Sequence, residues 1–260
     1  FRGGPGRKPP NYHCAPVPIL IQHDKIYRAF EDNITDNWPA GFRALVLSAD
    51  IDADLLDASS WTMSNKLPFD AAWLQKVWGP ASSAGWLEGN VVADRQGHLW
   101  NVLRVNAKHS PDSQWSLWNK AAMVRITHEG RQLTFDPGSD FIDLPGAHSK
   151  FTIRRDPLTG SYLTLSNGVA DSKEPTNRSM LSLYQSPDLR RWQHCTTLLQ
   201  EDTGLLTKHA AQQVGFQYVD WQFDGKDIIY LVRTAYRGAH NYHDANRITF
   251  HRIRDFQQQI

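Results

Sequence analysis

Residues 215–250 read GFQYVDWQFDGKDIIYLVRTAYRGAHNYHDANRITF. Two alternating runs of aromatic and β-branched residues, 218–223 and 228–236, flank Asp224-Gly225-Lys226, which is a tight hairpin signal. A loop dense in His, Asn and Asp follows, then a third strand-like run at 247–251. Strand, tight turn, strand, long polar loop, strand is the anatomy of one propeller blade.

The same order recurs three times upstream. The first unit has runs at 16–22 and 25–31 around His23-Asp24, a polar loop EDNITDNWPAG at 31–41, a run at 42–49 and a fourth strand opened by Trp61. The second has 85–93, a turn at 94–97, 98–106, a long loop to Lys120, then 121–127 and 132–135. The third has 150–155, a turn at 157–160, 161–167, a loop at 168–178, then 180–186 and 192–199. Residues 70–77 are suited to a short helix, and the last unit has a weak fourth strand, since only DFQQQI follows Arg254.

These repeats predict an all-β chain, a single β-propeller domain over residues 1–260. Residues 1–12 are expected to be a loop, with blades at about 13–63, 85–136, 148–199 and 213–260. An open row of blades leaves unpaired strand edges, so four blades of a five-bladed ring are expected, with the ring completed by upstream residues or by an N-terminal closing strand. A β-sandwich is the competing architecture; the regular alternation of short and long connections argues against it.

Composition narrows the function. With 28 basic and 27 acidic residues the net charge is +1, which gives no field for nucleic acid or an anionic membrane. No apolar run approaches the roughly 18 residues of a membrane helix. Cys14 and Cys195 match no metal or redox spacing, and no nucleophile elbow, phosphate loop or dinucleotide fingerprint is present. Ten Trp and eight Tyr suit a protein that stacks sugar rings, although Trp also fills the wedges of large β folds.

In each unit the first connection is short and the second long and polar, so antiparallel pairing gathers the long loops at one end. Candidate site residues follow from that placement. Glu88 in GWLEGN and Asp220 in YVDWQF are carboxylates within apolar strands, a setting that favours the protonated form, and a facing pair is the minimum equipment for glycoside hydrolysis. Either one alone can instead hydrogen-bond neighbouring backbone. His13 and Tyr218 are further catalytic candidates. Arg28, Arg104, Arg154 and Arg233 can bind a substrate carboxylate bidentately; any one of them can also pair with a local acid such as Asp32 or Asp156. His240, Asn241 and His243 suit sugar hydroxyls. His240, His243 and Asp244 are weak metal candidates; otherwise no cofactor is expected.

Several motifs together resemble a known group. YHCAPVPILI with IYRAFED, the run at 48–56 leading to SSWTMSN, GWLEGNVV, KFTIRRDP, SPDLRRW, and YVDWQFDG with GAHNYHDAN resemble the sialidase-like superfamily of bacterial carbohydrate-active β-propeller proteins. The resemblance covers almost all of the chain after Tyr12, and relatives carry a further portion before YHCAP. Of the sialidase Asp-box, only Ser186, Asp188 and Trp192 are matched, with Arg190 in the place of its glycine, a departure from the pattern of true sialidases. The resemblance implies a secreted or periplasmic enzyme acting on an oligosaccharide or polysaccharide. The first expectation is an exo-acting glycoside hydrolase with Glu88 as acid and Asp220 as base or charge stabiliser. The alternatives are a polysaccharide lyase acting on a uronate and a non-catalytic sugar-binding propeller.

Overall fold

The structure, a computed structural model, describes residues 9–79, 81–109, 118–168, 178–202 and 213–260. The opening of the expected N-terminal loop and the middles of two long loops, 110–117 and 169–177, lie outside those residues. The described chain is organised as four antiparallel sheets.

The first sheet contains β1 (Asn11–His13), β2 (Leu20–Gln22), β3 (Lys25–Asn33), β4 (Phe42–Asp50), β5 (Thr62–Met63) and β6 (Leu67–Pro68). The helix α1 (Ala71–Val77) follows, its N-terminus capped by the Asp70 carboxylate accepting from Ala72 N. The second sheet contains β7 (Ala81–Ala93), β8 (Leu99–His109), β9 (Lys120–Thr127), β10 (Gln132–Thr134) and β11 (Phe141–Asp143). The third is a four-strand meander of β12 (Thr152–Arg155), β13 (Tyr162–Ser166), β14 (Met180–Ser186) and β15 (Gln193–Gln200). The fourth has three strands, β16 (Gly215–Asp224), β17 (Asp227–Ala235) and β18 (Arg247–Ile253). Contacts divide the chain into two compact units, residues 1–142 and 143–260.

The sequence anticipates the main strands of each unit but not β6 or β11, and the expected N-terminal loop over 1–12 is corrected at its end, where Asn11 and Tyr12 belong to β1 and pair with β3. Two further departures are informative. The run at 16–22 is interrupted: β1 and β2 both pair with β3, and the intervening CAPVPI segment carries two prolines that cannot donate to a ladder. Arg28 holds that segment, donating to Val17 O at 2.9 Å and Ala15 O at 3.2 Å. In the fourth sheet a fourth strand is replaced by a left-handed turn at Asp255 and a short 3₁₀ helix, Phe256–Gln259. Phe256 is buried there against Phe223, with ring centres 5.3 Å apart.

Each unit has its own core. In the first, Trp86 is fully buried in an aromatic cluster with Phe69, Trp73 and Phe135 at ring-centre distances of 5.2, 5.6 and 5.4 Å. That cluster docks α1 and the segment before it onto β7, two residues from Glu88. In the second, Trp221 is buried among Leu163, Leu181 and Val232, with its indole N–H donating to Thr152 O at 2.9 Å. Trp86 and Trp221 are therefore core residues of their units. Among the described residues no helix is long and apolar enough to cross a membrane.

Trp86→Ala leaves a cavity in the middle of the aromatic cluster, and should destabilise the protein by about 3–5 kcal/mol in denaturant unfolding. A loss below about 1 kcal/mol would show that the cluster does not hold the first unit together.

Candidate active site

The register of β7 on β8 breaks at one place. Leu87 faces Arg104 and Asn90 faces Val102, so β7 carries one extra residue, and Glu88 at the break has φ +59°. β16 on β17 repeats this step for step. Gln217 faces Arg233, Asp220 faces Leu231, and Tyr218 has φ +51°. Gly85 and Gly215 occupy matching positions, each three residues before the left-handed residue of its strand. A Cβ on the first would meet Pro39 O at 2.3 Å, and one on the second Tyr242 O at 2.4 Å, so both positions exclude any side chain.

The shared register equates Glu88 with Tyr218 and Arg104 with Arg233. It also corrects the expected match of Glu88 with Asp220, whose counterpart is the buried Asn90. Asp220 is not in apolar surroundings either. Its side chain is 51% exposed and faces Arg154 Nη2 at 3.5 Å.

In the first unit, Glu88 is 3% exposed and its Oε2 accepts from Arg104 Nη1 at 2.8 Å. Glu31, from β3, is 1% exposed. Its Oε1 accepts from Gly89 N at 3.1 Å, and its Oε2 lies 2.7 Å from His13 Nδ1. Two buried glutamates from adjacent sheets are thus joined through one peptide N–H, each with a cationic or protonatable partner. His13 packs on Phe42, with ring centres 5.4 Å apart. Trp38, in the loop between β3 and β4, is 49% exposed and has the Arg104 guanidinium 5.9 Å from its ring. The blade order alone places Glu31 at the long-loop end, at the close of the second run of the first unit, but gives it no role; Trp38 was not singled out, its only signal being its position in the polar EDNITDNWPAG loop.

Burial pushes the His13 imidazole down, but the hydrogen bond and charge of Glu31, with the charge of Glu88, outweigh it; the net shift is upward from the ordinary 6.5. The neighbouring Asp32 is also buried, but its role is structural. Burial alone would raise its pKa, yet Arg43 and Lys66 bond its Oδ2 and bring it down.

Among the other sequence candidates, Arg28 is committed to backbone carbonyls of its own sheet, and Arg154 to Trp221 O and Asp220. Tyr218 and Arg233 adjoin one another in the second unit, with the guanidinium 5.0 Å from the ring centre. His240 Nδ1 and His243 Nδ1 both face the Asp244 carboxylate, at 2.9 and 3.3 Å, and Asn241 Nδ2 donates to it at 2.8 Å. These bonds, that of His240 foremost, pull Asp244 down to about 2. The loop closes on itself by hydrogen bonds, which accounts for the residues considered as metal ligands. Among the described residues no group of three or more His, Cys, Asp or Glu side chains is disposed to hold a metal ion.

No family model matches the sequence, and no curated protein matches it. Solved structures do resemble it. An exo-β-1,3-galactanase of Phanerochaete chrysosporium bound to β-1,3-galactotriose matches 85% of this chain and 43% of its own, at 10% identity and a TM-score of 0.51. A GH32 β-fructofuranosidase of Bombyx mori in complex with sucrose matches 95% and 46%, at 12% identity and a TM-score of 0.56. A protein of unknown function from Dyadobacter fermentans matches 94% and 70%, at 13% identity and a TM-score of 0.52. The fold is a β-propeller. The chain spans less than half the length of the two sugar-processing propellers, and at these identities the likeness shows the fold alone.

Because the His13 pKa is raised on folding, the stability it adds is fully present below its unfolded value near 6.5 and is lost as pH rises through the higher folded value. The difference in unfolding free energy between the parent and His13→Gln should therefore be largest in mild acid and shrink in alkali. With the imidazole side chain 38% exposed, the effect is modest. A difference that grows with rising pH would contradict the His13–Glu31 pair.

Proposed function

We propose that the chain is the propeller of a carbohydrate-active hydrolase, a glycoside hydrolase acting at the end of an extracellular or periplasmic glycan, with its chemistry in the first unit. The observation that carries this is the pair of buried glutamates, Glu31 and Glu88, linked through Gly89 N–H and flanked by His13 and Arg104. The exo-galactanase and the β-fructofuranosidase support it at the level of scaffold, as propellers described with sugars bound.

Arg104 pairs with Glu88, so this carboxylate suits a charged role better than the acid role first expected for it. In the proposed reaction Glu88 stabilises positive charge on the sugar ring and takes the proton of the attacking water. His13, its Nδ1 held by Glu31, gives the proton on Nε2 to the leaving oxygen as the glycosidic C–O bond breaks. The second proton of the water stays on the new sugar hydroxyl. Trp38 offers an exposed indole face on which a sugar ring stacks.

A panel of galactans, fructans and uronate-containing glycans, assayed for release of reducing sugar, tests this. Glu88→Gln and His13→Gln should each lower turnover by about 100-fold or more in protein that circular dichroism shows to be folded, and Trp38→Ala should raise KM more than it lowers kcat. A folded Glu88→Gln protein with full activity would refute the assignment. Product absorbing in the ultraviolet as an unsaturated uronate would identify a lyase instead.

A further inference from the structure

The matching bulges in β7 and β16 set an arginine of the next strand beside a left-handed residue, yet the two pairs differ in charge. Glu88 neutralises Arg104. At the equivalent place Tyr218 supplies an aromatic face to Arg233 and no charge. Arg233 Nη2 donates to His243 O at 2.7 Å, and among the described residues no carboxylate forms an ion pair with it. A second guanidinium lies close by. Arg178 Cζ is 5.8 Å from the Tyr218 ring centre and 5.6 Å from that of Tyr242, with Nη1 donating to Gln217 Oε1.

Gln217 fixes the frame of this group, since its Nε2 donates to Tyr242 O at 2.7 Å and His243 O at 2.8 Å. Among the described residues, Asp220 faces Arg154, and Asp244 accepts from His240 and Asn241 and faces His243, so neither is paired with Arg233. A bulky residue held at φ +51° is strained, and such strain persists where surrounding structure enforces a particular side-chain position.

We propose that Tyr218, Arg233 and Arg178 form a binding site for the oxyanion of an acidic sugar, a carboxylate or a sulfate ester. The guanidinium fork matches either group, and the phenol adds an O–H donor. The Tyr218 and Tyr242 rings provide apolar faces for the sugar. The proposal stands on the second unit alone and does not depend on bond cleavage by the first.

Calorimetric titration of the whole chain with glucuronate, glucose 6-sulfate and glucose tests it. One or both acids should bind, and glucose should bind at least about tenfold more weakly. Binding of glucuronate alone assigns a carboxylate site, and of the sulfate alone a sulfate site. Arg233→Ala should weaken acid binding by about tenfold or more, and Arg233→Lys by less, because it keeps the charge and loses the fork. Arg252→Ala, which removes a surface guanidinium paired with Asp224 and Asp227, should leave binding unchanged. Failure of both acids to bind, glucose binding as tightly as the acids, or parent-like acid affinity in folded Arg233→Ala and Arg233→Lys proteins would each overturn the proposal.

Discussion

One extra residue in a strand governs what this protein presents to a ligand. In an unbroken strand, successive side chains alternate between faces, so the residue after Leu87 would follow the strict period of two. The bulge breaks that period and holds Glu88 in a left-handed conformation that an ordinary residue reaches only at a cost of about 1–2 kcal/mol. The structure offsets this cost locally. Glu31 takes the Gly89 N–H beside the bulge, Arg104 takes the Glu88 carboxylate, and Trp86 anchors the strand on the other side of Leu87. Packing, backbone and charge thus converge on a single peptide.

Glu31 and Asp32 show how a strand divides its work. They are consecutive and both buried, which for two acids demands compensation on both sides of β3. Alternation sends one to each face. Asp32 meets Arg43 and Lys66 and ties β3 to residues of its own sheet. Glu31 meets His13 and the neighbouring sheet. The first is a fixed ion pair with its pKa pulled down; the second is coupled to an imidazole whose pKa the pairing raises from its ordinary 6.5. Only the second arrangement can pass a proton under mild conditions.

The sheets were legible in the sequence because half-buried strands impose alternation and tight turns impose Asp-Gly and similar pairs. The bulges were not, since an extra residue leaves no compositional trace. GWLEGN and GFQYVDW look unalike, and aligning them by their acids equates Glu88 with Asp220; only the cross-strand register equates it with Tyr218. Arg28 illustrates a second limit. An arginine within a strand looks the same in sequence whether it faces a ligand or repairs its own sheet, and here it satisfies carbonyls that a proline-broken strand leaves without a ladder partner. Glu31 and Trp38 sat at the margins of a polar loop, and a partner that comes from the adjacent sheet is a long-range fact that no local pattern encodes.

The two bulges therefore read as one structural device used with two chemistries. Keeping the glycine, the register break and the arginine while exchanging Glu for Tyr changes the local charge from balanced to positive at the same bulge. In the first unit the arginine is neutralised and the glutamate is left buried beside an imidazole, which suits proton transfer. In the second the cation keeps its charge and gains an aromatic face, which suits recognition of an anion. A blade repeat makes such divergence easy, because the same bulge and left-handed backbone recur with either side chain.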